Sequence, residues 1–107
     1  MKLFALIIGH AFGDFVFQTE WIAKYKNRRN VSPPPIGQKQ QSVWFYVLSA
    51  HALVHGGIVW LVTGNVYFGL AETVCHWFID FGKCENWYGI HKDQGAHLVC
   101  KIIWSFL

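Results

Sequence analysis

Four pairs of ligand-type side chains stand four residues apart in otherwise apolar sequence: His10 and Asp14, His51 and His55, His76 and Asp80, Asp93 and His97. In an α-helix, residues i and i+4 lie on one face, one turn apart, so each pair presents two donors along a single stripe. Imidazoles and carboxylates are the donors that zinc and manganese accept. A lone histidine on an apolar helix is usually a hydrogen-bonded core residue. Four pairs together predict a shared centre holding one or two divalent ions, zinc or manganese first. Two ions bridged by a carboxylate would suit phosphoester hydrolysis. A His–Asp proton relay without metal is the alternative chemistry.

A further set of polar residues keeps register with these pairs. Gln18 continues the His10/Asp14 stripe, Glu72 precedes His76 by four, Lys101 follows His97 by four, and Gln94 neighbours Asp93. Lys83, three after Asp80, is placed to meet an anionic substrate or lipid headgroups. These five are expected to support the ligands or face the substrate. Cys75, Cys84 and Cys100 form no C-x-x-C motif and cannot all pair, so they read mostly as packing residues, with Cys75 beside His76 and Cys100 three after His97 as extra ligand candidates.

The elements that must carry these residues are apolar. Hydrophobic residues make up 53% of the 107 and charged ones 14%, against about 25% charged in soluble proteins. Aromatics reach 18%, which suits membrane-interface belts as well as a packed core. Mean hydropathy is only +0.26, lowered by the histidines and the polar stretch 24–42. Four segments emerge, at about 3–23, 43–62, 66–81 and 93–107, in one domain spanning 1–107. Pro33-Pro34-Pro35 makes 24–42 a loop, Thr63-Gly64-Asn65 is a turn, Gly82-Lys83 reads as a helix stop and Asp93 as an N-cap. Asp14 interrupts the first apolar run and no A-x-A site follows, so that run is expected to be retained rather than cleaved.

Basic residues gather in 24–42 (Lys24, Lys26, Arg28, Arg29, Lys39) and at Lys83 and Lys92, while the 63–65 turn has none. Interleaved with prolines and lacking a periodic aromatic platform, they argue against nucleic acid. By the positive-inside rule they place both loops in the cytoplasm and both termini outside, with Lys2 a minor exception. Counted inward from the basic ends at about 1.5 Å per residue, Asp14, His51, His76 and His97 lie roughly 7–15 Å deep. Asp80 and Asp93 fall shallower, His10 and His55 deeper. Ionisable groups at matching depth in a membrane point to function.

The stretches His10-Ala-Phe-Gly-Asp14-Phe-Val-Phe-Gln18, His76-Trp-Phe-Ile-Asp80-Phe-Gly-Lys83 and Asp93-Gln94-Gly-Ala-His97 together resemble an uncharacterised family, a domain of unknown function found in small multi-pass membrane proteins of bacteria and phages. The resemblance covers nearly the whole chain, with Ala11 where the family has an aromatic. It supplies no activity. A looser similarity to membrane-bound metal-dependent hydrolases is analogy.

The expected fold is all-α: a small polytopic bundle of three to four transmembrane helices around a polar His/Asp centre, in the inner (cytoplasmic) membrane. The fourth segment is short for a full crossing. The expected function is a metal-binding protein acting as a metal-dependent hydrolase on a lipid or phosphoester at the cytoplasmic face. The alternatives are a non-enzymatic module for metal or proton handling and a phage-type factor acting on the host membrane. The expected partners are membrane lipid and such a substrate, without nucleic acid, and a homo-oligomer is compatible with the pattern.

Overall fold

The computed structural model describes residues 2–30 and 42–107, and the described residues are helical without a strand. The expected triproline loop and Lys39 lie outside them. Helix α1 runs Lys2–Ala11 and passes into a π-helical turn, Phe12–Val16, closed by the Phe17 N–H on the Phe12 carbonyl at 2.8 Å. A short helix α2, Glu20–Tyr25, follows. The segment expected to be one helix over 3–23 is therefore broken at 17–19. Side chains at the break satisfy freed backbone groups: Gln18 Nε2 donates to the Asp14 carbonyl at 3.0 Å, and Thr19 Oγ1 caps α2 by accepting from Ile22 N at 3.2 Å.

Helix α3, Trp44–Thr63, matches the expected 43–62 within a residue and ends at Gly64, whose positive φ of 70° suits a residue without Cβ. Helix α4, Val66–Cys84, is capped by Asn65, whose side chain accepts from Tyr67 N and Phe68 N. It runs through the expected stop at Gly82-Lys83. The ring of Tyr88 packs where a Gly82 Cβ would stand, 2.6 Å from the Tyr88 hydroxyl, so this glycine is there for close approach rather than termination. Helix α5, Ile90–Phe106, starts before the expected 93. Asp93 is not its N-cap: its N–H already bonds the Gly89 carbonyl at 3.1 Å, leaving the carboxylate in the first turn, aimed inward.

Helices α1, α3, α4 and α5 close into a ring in which each packs on two neighbours, α1 on α3, α3 on α4, α4 on α5 and α5 on α1. The α3–α4 contact is the closest. A Cβ on Gly56 would stand 1.8 Å from Thr73 Oγ1, and one on Gly69 would stand 2.7 Å from the Gly56 carbonyl. Such mutual approach needs small residues on both helices. One end of the ring is closed by Leu6, Val59 and Trp104, with Phe68, Cys75 and Cys100 against them. At the other end Arg28 and Arg29 pair with Glu85, joining the start of the first loop to the α4–α5 turn.

Polarity is inverted relative to a water-soluble bundle. Among the described residues, ten polar or charged side chains are buried against seven hydrophobic ones, while Phe4, Phe15, Leu61, Tyr67, Phe78 and Phe106 are exposed. Of the helices, α3 is long and apolar enough to cross a membrane. Among the described residues the expected three to four such spans are not shown by length and hydropathy: α1 has 10 residues and α5 17, while α4 carries Glu72 and Asp80 inside.

Candidate metal centre

The ring of helices brings the four i,i+4 pairs together at its middle. All three aspartates and five of the six histidines of the chain meet there, the exception being His91. Each helix contributes one stripe: α1 and its π turn give His10 and Asp14, α3 His51 and His55, α4 His76 and Asp80, α5 Asp93 and His97. The imidazoles of His55 and His76 stack at 3.7 Å and those of His76 and His97 at 4.1 Å. Backbone fit contributes as well. A Cβ on Gly13 would fall 2.4 Å from His55 Cε1, so the π turn lies directly against that ring.

Asp14, His51, His55 and His76 can hold a metal ion. One donor atom from each lies within 4.8 Å of the others. Asp14 Oδ1 stands 3.2 Å from His51 Nε2, 2.8 Å from His55 Nε2 and 3.7 Å from His76 Nε2. None of these four atoms has a hydrogen-bond partner, although all are buried. The separations are short, yet the donor axes do not point at one another. Ligand atoms about 2.0–2.1 Å from a tetrahedral zinc are roughly 3.3 Å apart, and the three separations bracket that value. Four buried, unpaired donors at ligand spacing fit a divalent transition ion. Two overlapping groups, Glu72/His76/His97 and Asp14/Asp93/His97, share residues with this one.

The remaining members support or flank the four. His10 Nε2 bonds Gln94 Oε1 at 2.9 Å, while Gln94 Nε2 donates to Asp14 Oδ2 at 3.0 Å and to Asp93 Oδ2 at 3.2 Å. His97 Nε2 meets Asp80 Oδ1 at 3.1 Å and stands 3.4 Å from Asp93 Oδ1. Glu72 faces His76 Nδ1 at 3.4 Å, pairs with Lys101, and accepts from Trp104 Nε1 at 2.6 Å. A carboxylate on the rear nitrogen fixes an imidazole's tautomer and leaves Nε2 free for a metal. Gln18, Glu72, Gln94 and Lys101 thus adjoin the ligand pairs. Lys83 does not join them and lies half-exposed in the last turn of α4. Cys75 and Cys100 pack on the apolar end instead.

Two participants escape a sequence reading. Lys26 falls among loop cations in sequence, yet it is 5% exposed, with its ammonium 3.0 Å from Asp80 Oδ2 and 2.7 Å from Gln18 Oε1. Asp80 Oδ2 is also 3.2 Å from His51 Nε2 and 3.3 Å from His76 Nε2. Trp104 is one aromatic among many in sequence, and its role on Glu72 shows there only as the i,i+3 spacing from Lys101.

Beside the centre, Phe17, Trp21, Ile22, Tyr46, Val47 and Val54 line an apolar cleft of about 440 Å³ that reaches His51. Outside the bundle, hydrogen bonds from Arg28 and its charge hold the Glu85 carboxyl below its usual range.

The chain belongs to a family described as a protein of unknown function (DUF3307), whose family model matches residues 2–106. No curated protein and no solved structure matches it.

Proposed function

We propose that the chain is a membrane-embedded metal-binding protein, a metal-dependent hydrolase acting on a lipid phosphoester at the cytoplasmic face. The observation that carries the metal reading is the set of four buried, unpaired donor atoms of Asp14, His51, His55 and His76. A divalent ion held there supplies Lewis acidity and a hydroxide nucleophile near neutral pH.

The membrane reading is supported by the inverted polarity. Exposed Phe, Leu, Ile and Trp side chains around a charged interior suit hydrocarbon as solvent. Orientation rests on Lys24, Arg28, Arg29, Lys83 and Lys92, which lie toward the end that Arg28 and Arg29 close on Glu85. The lipid reading is supported by the cleft. Its lining is apolar, its volume is within the range of small-molecule sites, and His51 belongs both to it and to the ligand set. A hydrocarbon chain lying in the cleft would bring its polar head to the centre.

The test is metal analysis of detergent-purified protein. It is joined to release of phosphate or headgroup from a panel of lipid phosphoesters, with a water-soluble phosphomonoester as control. Zinc or manganese in the protein, and turnover of the lipid panel abolished by chelator and restored by metal, are expected. Metal-free folded protein would refute the reading and leave the proton relay. A second reading, a module that holds metal without turnover, is favoured by one observation: four protein donors make the closed coordination of structural sites. Bound metal without turnover of any substrate would select it.

A further inference from the structure

From the buried charges we infer that the centre takes one divalent ion, not two, and that the ammonium of Lys26 is a tethered cation standing where a second ion would bind. The inference rests on the metal reading above and sets its stoichiometry.

Among the described residues, the buried acids are Asp14, Glu72, Asp80 and Asp93, and the buried bases other than histidine are Lys26 and Lys101. Ligating imidazoles are neutral, and a proton on His97, which lies between Asp80 and Asp93, would only lessen the negative charge left for a metal. Four carboxylates against two ammonium groups leave two negative charges inside the bundle. Uncompensated buried charge is strongly unfavourable, so the interior must be brought near neutrality. One divalent ion achieves this. Two ions would leave an excess of two positive charges in the same volume.

The geometry says which anions remain open. Lys101 is engaged with Glu72, the acid behind His76, so this pair is locally neutral. The rest is three aspartates and Lys26. Lys26 is not a casual neighbour: Gln18 Oε1 holds its ammonium at 2.7 Å, and it sits 3.0 Å from Asp80 Oδ2. That oxygen is within 3.3 Å of the Nε2 atoms of His51 and His76, both members of the four-donor set. It is the carboxylate oxygen that would otherwise bridge to a second ion, and the Lys26 ammonium is already paired with it. Asp14 Oδ1 and Asp93 Oδ1, by contrast, have no lysine on them and no hydrogen bond, and of the two only Asp14 belongs to the four-donor set. The ion therefore belongs at Asp14, and the Asp80 position is already filled by the protein's own charge.

The experiment is zinc stoichiometry and affinity, by elemental analysis and competition with a chelating dye, on wild type, Lys26→Glu and Lys26→Met in detergent. Wild type is expected to hold one zinc per chain. Lys26→Glu, which restores two more negative charges and adds a carboxylate beside Asp80, is expected to hold two. Lys26→Met is expected to hold its first zinc tenfold or more tighter, because a cation close to the ion is gone. Two zinc ions in wild type would overturn the inference, and so would a folded Lys26→Glu that stays at one. If Lys26→Glu does not fold, the wild-type count and the Lys26→Met affinity still decide, with unchanged affinity counting against it. No zinc in folded wild type would instead refute the metal reading itself, two imidazolium ions then balancing the charge.

Discussion

Replacing Asp14 by Asn is the most direct perturbation of the centre, because it removes one charge and almost no volume. Asp14 Oδ2 accepts from Gln94 Nε2, a bond that an asparagine carbonyl can keep. The amide nitrogen then replaces Oδ1 opposite the Nε2 atoms of His51, His55 and His76, which are 2.8–3.7 Å away, and can donate to one of them. The metal-free fold should therefore survive. Metal binding should not, since losing even a partner behind a ligand costs about 10–100-fold in affinity, and a direct anionic ligand should cost about 100-fold or more, roughly 2.7 kcal/mol. With free zinc about 1,000 times the wild-type Kd, the ion stabilises the fold by about 4.1 kcal/mol, whereas a hundredfold weaker site leaves about 1.4 kcal/mol. Thermal unfolding in detergent, with zinc and with chelator, should show the zinc-dependent shift falling to about a third. A variant that keeps the full shift would refute the assignment of Asp14 as a ligand.

The other expectations concern the supporting structure. Asp80→Asn leaves the Lys26 ammonium buried beside a neutral amide and should destabilise by about 3–5 kcal/mol. Adding Lys26→Met should recover most of that loss in the same melts, and a double variant no better than the single would count against the pairing. Gly13→Ala places a methyl against the His55 ring and should lower zinc affinity, whereas Gly57→Ala meets nothing within 4 Å and should leave it unchanged. Equal effects of the two on affinity would dismiss the close approach. Glu85 has a folded pKa lowered from 4.5 by Arg28 and Arg29, so its contribution is present above that value and lost as pH falls through the lower folded one. Glu85→Gln should accordingly flatten the acid side of the stability profile below about pH 4.5, read by unfolding at stepped pH, and an unaltered profile would remove the pair from the account.

How much of this was legible in the chain depends on the range of each interaction. The i,i+4 pairs are local: helix geometry alone puts His51 with His55 and His76 with Asp80 on one stripe, so the eight paired groups could be named from spacing. Convergence needed a second step, the matching distance of each stripe from a basic end, and this too is arithmetic on a helix. The helix boundaries were less legible where side chains replace backbone partners. Gln18 and Thr19 satisfy the groups freed at 17–19, so a continuous apolar run conceals a break. Gly82 looks like a stop, although its missing Cβ serves Tyr88.

Lys26 marks the limit of such reading. By composition, 24–30 is a solvated basic stretch, and nothing within it distinguishes the one lysine that turns inward from the cations that stay out. The distinction is made by the break itself. Because the chain stops being helical after Val16 and restarts at Glu20, α2 takes a new direction that carries Lys26 to Asp80, 54 residues away in sequence. The same break lets Gln18 contact both Asp14 and Lys26. A continuous helix over 3–23 would have kept the basic residues together beyond the end of the bundle and left Asp80 without a cation. The interruption that spoils the reading of the first segment as a simple span is thus also what delivers a fixed positive charge to the centre, and that charge decides how many ions the three aspartates can hold.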